Sequence, residues 1–163
     1  MADRGRRLPL GRGAVLFDGN RPVKCFCCRW RRRDFASRGV EIGEPASQTY
    51  FEVLALVLAA ELWCLDSTPM TVYGDNTAAL QAALSLTGRG EQLRLVQALA
   101  VIRSARTLDI RVAHLPSESN VAADALSHQH GPAADRKPWP FGAEDGVEVC
   151  TPARPTALWD LLV

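Results

Sequence analysis

No stretch of this 163-residue chain is apolar and unbroken for long enough to cross a bilayer, because Glu52 and Glu61 interrupt the best candidate. The opening Met-Ala-Asp-Arg-Gly-Arg-Arg lacks the apolar core that directs secretion. The five cysteines are an odd number, and although Cys25 and Cys28 have CxxC spacing, no second Cys pair or His pair lies at zinc-ligand spacing to complete a site. Reduced thiols in the cytosol or nucleus are therefore expected, with Cys25, Cys27 and Cys28 as strand residues. Net charge is also nearly absent, at +1, but it is unevenly spread. Residues 1–40 hold eleven Lys and Arg against three Asp, a net of +8, which leaves −7 on the remainder. Such a split suggests a polyanion meeting the N-terminal part, with Arg31, Arg32 and Arg33 as candidate contacts; loop arginines also serve solubility.

What is present suits one globular domain and a tail: 47% hydrophobic and 23% charged residues in a length that buries a sizeable core. Residues 1–10 are Arg-rich and patternless. Gly13–Phe17 and Val23–Trp30 read as strands joined through the turn signal Asp18-Gly19-Asn20. A surface loop is expected over 31–47, then a helix over Gln48–Leu65, the longest apolar block. Thr71–Tyr73 is β-favouring and runs into a helix from Asn76. After the Gly88-Arg89-Gly90 break, helical spacing returns up to about Arg106. Leu108–Leu115 reads as a strand, which Pro116 ends, and Asn120–His128 as a short helix. The expected order is β-β-α-β-α-α-β-α over residues 11–130. The segment 131–163 forms a tail, of which 142–156 is expected to be mobile.

Three acids stand out. Asp75 lies where a strand passes into a helix, the crevice in which α/β sheets bind ligands, although Asp also favours the N-cap itself. Glu52 lies in a helix that is apolar nearly all round, where a carboxylate is costly unless it is paired, hydrogen-bonded or on a metal. Thr49-x-x-Glu52 also fits a capping box. Asp124 lies in a helix whose packing face is Val121, Ala122, Ala125 and Leu126, and by itself it reads as a wet-side residue with Asn120 as the N-cap.

Four elements occur in sequence: Gly11-x-Gly13-Ala14-Val15-Leu16; Gln48-Thr49-x-x-Glu52-x-Leu54-Ala55-Leu56; Tyr73-x-Asp75-Asn76-x-x-Ala79-Leu80; and His114-Leu115-Pro116-x-x-x-Asn120-x-x-Ala123-Asp124-Ala125-Leu126-Ser127. Together, from about Gly11 to His128, they resemble the RNase H domain of retroelement reverse transcriptases. The resemblance implies an α/β, RNase H-like mixed five-stranded sheet with helices on both faces. It also implies an endonuclease that hydrolyses the RNA strand of an RNA–DNA hybrid, in an element that includes a polymerase. Family members use two Mg²⁺ (or Mn²⁺) ions roughly 4 Å apart, one generating hydroxide and one stabilising the leaving oxygen. Clustered carboxylates suffice as ligands, because Mg²⁺ takes oxygen donors and shares the substrate phosphate.

By position, Glu52, Asp75 and Asp124 match three of the four family acids, and Asn76 and Asn120 are the accompanying candidate nucleic-acid contacts. The fourth acid belongs to a first strand, five residues ahead of the Gly-x-Gly in Asp-Ala-Ser-x-x-Gly-x-Gly. Here Arg6-Arg7-Leu8 occupies that register, Asp3 is three residues too early and Asp18 lies in the following turn. The first strand therefore reads as incomplete, with an Arg where the family's central metal ligand belongs. Two functions follow: a metal-dependent nuclease, or a catalytically impaired relative that at most binds nucleic acid. Many relatives carry a product-release His in a loop before the last helix, but His114 reads as a strand residue instead.

Overall fold

The structure is a computed structural model that describes residues 11–35, 38–64 and 66–155. Strands β1 (Gly11–Asp18) and β2 (Arg21–Arg29) form an antiparallel hairpin in which Asp18 faces Arg21 across a two-residue turn. The first turn residue, Gly19, has φ +59°, a conformation that glycine adopts without a Cβ penalty. Thus the Asp-Gly-Asn signal is used as expected.

Helix α1 (Gln48–Trp63) is the centre of the core. It packs against α2 (Thr77–Ser85), α3 (Glu91–Arg106) and β1. Val53, Leu54 and Val57 of α1 are fully buried, as are Leu95 and Leu99 of α3. A helix enclosed on several sides needs no polar face, which explains its nearly unbroken apolar sequence. Its carboxyl end is closed by the Arg106 guanidinium, which donates to the Glu61 and Cys64 carbonyls at 2.7 and 2.9 Å. That arrangement satisfies orphan carbonyls and opposes the negative end of the helix dipole. At the amino end, Trp30, Phe35, Tyr50 and Phe51 form an aromatic cluster, with Phe35 edge-on to Phe51 at 5.0 Å.

Strands β3 (Met70–Gly74) and β4 (Ile110–His114) pair in parallel, and α4 (Val121–Ser127) follows. The architecture is mixed α/β with four helices. Among the described residues the strands form two sheets rather than one, β1-β2-β5 and β3-β4. The expected first strand, with Arg6, falls within residues 1–10 and so lies outside the described residues, as do the tail residues 156–163. His114 is an exposed residue at the end of β4, as its sequence position suggested.

Two expectations need correction. The segment 142–156 is not simply mobile: it contains a 3-10 turn (Ala143–Asp145) and a short strand, β5 (Glu148–Val149), which adds to β2 in parallel. Cys150 N–H donates to the Cys25 carbonyl at 2.7 Å, and Arg154 pairs at 2.6 Å with Asp34, a buried carboxylate of the 31–47 loop. Second, that loop carries two 3-10 turns, Arg32–Asp34 and Pro45–Ser47, because Phe35 is drawn into the aromatic cluster. All five cysteines are free, and Cys25 is fully buried in β2. No helix among the described residues is long and apolar enough to cross a membrane.

Candidate functional site

Two acids of the sequence-derived trio, Glu52 and Asp75, are freed from the capping role that could have explained them. Helix α1 is capped by Ser47 without a side-chain bond, so Thr49 and Glu52 form no capping box. Glu52 instead sits in the second turn, where its Oε1 accepts from Gln48 Nε2 at 3.0 Å and from Arg12 Nη2 at 3.4 Å. Asp75 is not a cap either. Asn76 caps α2, its Oδ1 accepting from Ala79 N–H at 3.0 Å, and its Nδ2 reaches Thr49 Oγ1 on α1 at 3.2 Å. Asp75 is left exposed beyond the end of β3, accepting from Ser117 Oγ at 3.0 Å.

The parallel β3–β4 ladder explains that last contact. Gly74 lies opposite His114, and Leu115 N–H still donates to the Gly74 carbonyl at 2.8 Å. The chain leaving β4 therefore turns at Pro116-Ser117 directly over Asp75. The same turn leads into α4, whose N-cap position is Asn120. The Asn120 side chain makes no capping bond.

Asp124 is placed by the packing of α4 on β1. A Cβ built on Gly13 would lie 2.2 Å from Leu126 Cβ, so only a glycine permits this approach. Consecutive strand residues face opposite ways, and Ala14 and Leu16 of β1 pack on the core side. Arg12 shares that side, which carries its guanidinium to the base of the acid group. Its side chain is only 12% exposed, against 17% for Glu52. Burial lowers the Arg12 pKa below the usual guanidinium value, and the charges of Glu52, Asp75 and Asp124, in that order, oppose the shift. Of the three acids, Glu52 is the one in direct contact with Arg12. Burial likewise raises the Glu52 pKa above the ordinary carboxylate range; Arg12 and Gln48 pull it back, and Asp75 pushes it up. Asp124 has a second cation of its own, Lys137 from the tail, whose Nζ contacts Oδ2, while His128 Nδ1 is 3.5 Å from Oδ1.

Gln48, Thr49, Glu52, Asp75, Asn76 and Ser117 line a cleft of about 400 Å³. Two of the three acids thus share an open cleft, and the third joins them only through Arg12. Two divalent ions need several carboxylate oxygens converging on each centre with no fixed positive charge between them. Among the described residues no three His, Cys, Asp or Glu side chains form such a group. With a guanidinium on Glu52 and an ammonium on Asp124, the residues as arranged do not fit a metal pair.

The remaining candidates divide between two places. Asn76 belongs to the cleft. Arg31, Arg32 and Arg33 are exposed beyond the end of β2, and the first two line a separate cavity of about 860 Å³ with Arg29 and Arg154. Four residues of the site escaped the sequence reading: Arg12, Gln48, Ser117 and Lys137. Arg12 had a signal, since it alternates with Ala14 and Leu16 on an amphipathic strand. Lys137 had none, because nothing in a Pro-flanked tail lysine tells which acid it will meet. No known protein family, curated protein or solved structure matches this chain.

Proposed function

We propose that this chain is an RNase H-like domain of the retroelement reverse transcriptase type. In this reading it binds nucleic acid, RNA–DNA hybrid above all, and in the form written here cleaves it poorly or not at all. The observation that carries the reading is the cleft shared by Glu52 from α1 and Asp75 from the end of β3, with the Arg12 guanidinium on Glu52. Glu52 and Asp75, far apart in sequence, share one cleft, and neither is used up by local capping. The element order from β1 to α4 supports the same fold.

The charges favour the impaired form over the active nuclease. Active relatives add a fourth acid and hold two ions; this chain places Arg6 in that register and Arg12 among the remaining acids. In an active form the metals would supply hydroxide and leaving-group stabilisation, and Glu52, Asp75 and Asp124 would be their ligands. A polymerase domain in the same element is the expected partner. The test is fluorescence anisotropy with a labelled RNA–DNA hybrid, duplex DNA and single strands at fixed salt. Saturable binding with preference for the hybrid is expected. Absence of binding to all of them would overturn the reading. Replacing Arg6-Arg7-Leu8 by Asp-Ala-Ser, together with Arg12→Ala, should produce Mg²⁺-dependent cleavage that Asp75→Asn abolishes.

A further inference from the structure

We propose that Arg12, seconded by Lys137, is the resident counter-cation of these acids, and that they take no divalent metal ion. Arg12 is not a surface arm that could swing away. It is the second residue of β1, paired opposite Cys28, and its side chain is only 12% exposed and ion-paired with Glu52 of α1. Its Nη2 shares Glu52 Oε1 with Gln48 Nε2, so the oxygen that a metal would need already accepts two donors. Asp75 Oδ2 accepts from Ser117, and Asp124 Oδ2 is held by Lys137. Each of the three carboxylates thus spends an oxygen on a group of this chain.

The charge balance makes the consequence specific. Three ionised carboxylates alone would repel a phosphate backbone, and a pair of divalent ions is one way to reverse that repulsion. Two fixed cations reduce the group from −3 to −1, so much of the same relief is present with no ion bound. A divalent ion entering would meet one net negative charge and a buried guanidinium, whose repulsion is poorly screened away from water. The site trades an exchangeable cation for a covalently tethered one. Its occupancy is then independent of metal concentration.

This goes beyond the hybrid-binding reading and does not depend on it, because metal binding is measured without nucleic acid. The full chain is titrated with Mn²⁺, and free Mn²⁺ is followed by electron paramagnetic resonance. No saturable loss of signal is expected for the unmodified chain. The double variant Arg12→Gln/Lys137→Gln should gain a saturable Mn²⁺ site, which the further change Glu52→Gln removes. The proposal is overturned if the unmodified chain binds Mn²⁺ saturably and loses it on Glu52→Gln or Asp75→Asn. It is equally overturned if the folded double variant gains no site. Should the double variant fail to fold, thermal unfolding of the unmodified chain decides: Mn²⁺ leaves Tm unchanged if Arg12 is the resident cation and raises it if the fold binds metal. Failure of hybrid binding with no Mn²⁺ uptake would remove the functional reading and leave this proposal standing.

Discussion

Gly13→Ala isolates the contact that delivers Asp124 to the site. Gly13 lies in β1 without a positive φ, so its backbone accepts alanine, and by unfolded-state entropy alone the change would stabilise by about 0.4–1 kcal/mol. The space decides otherwise. The new Cβ would meet Leu126 Cβ at 2.2 Å and the Leu126 backbone at 3.0 and 3.1 Å. Ordinary carbon contacts are ~3.5–4.0 Å, so α4 must retreat by roughly 1.5 Å, and backbone cannot step aside as a flexible side-chain tip can. Overpacking typically costs ~1–3 kcal/mol, and a clash that includes the Leu126 backbone belongs at the upper end, about 3 kcal/mol. Urea unfolding of the variant and the parent should show that loss as a lower midpoint at unchanged slope. The retreat also carries Asp124, two residues before Leu126, away from Arg12. A variant within ~0.5 kcal/mol of the parent would refute the close packing of α4 on β1, and with it the route by which the third acid reaches the site.

Three further outcomes follow from individual contacts. Glu52 has a raised pKa in the folded chain, so its contribution is present below the unfolded carboxylate pKa and fades as pH rises through the folded value. The stability of the parent relative to Glu52→Gln should therefore fall between acid and neutral pH in parallel urea titrations; a gap that widens in the parent's favour would contradict the burial of this carboxylate. Asn76→Ala should cost about 1 kcal/mol through loss of the α2 cap, whereas Asn120→Ala should be nearly silent because that side chain caps nothing; equal losses in thermal unfolding would reverse the assignment. Changing Arg31, Arg32 and Arg33 together to Ala should flatten the salt dependence of hybrid binding as fewer counterions are released, and an unchanged slope would place this run away from the nucleic acid.

Most of the local structure was legible because it rests on local chemistry. The hairpin turn at Gly19, the long apolar α1 and the Gly88–Gly90 break each announce themselves in a few residues. By residue type Glu52, Asp75 and Asp124 each fit a capping or surface role, and the structure puts Glu52 and Asp75 in one cleft. The structure assigns the α2 cap to Asn76 and leaves the N-cap of α1 to Ser47, which frees Asp75 and Glu52 for the cleft. What stayed hidden is set by long-range geometry. The Arg12–Glu52 pair spans 40 residues and the Arg154–Asp34 pair spans 120. No periodicity encodes such pairings. The addition of β5 to β2 was hidden for the same reason, because a two-residue strand has no pattern of its own. The expected Arg6 lies outside the described residues, and the basic residue that the structure places on Glu52 is Arg12.

The central claim is that this acid site is held by the chain's own cations and does not run hydrolysis as it stands. The most direct measurement incubates the unmodified chain with an end-labelled RNA–DNA hybrid and Mg²⁺, resolving products on a denaturing gel and complexes on a native one. A retarded hybrid whose RNA strand stays intact, with the same retardation when the metal is chelated, is the expected result. RNA cleavage that requires Mg²⁺ and disappears in Asp75→Asn would contradict it.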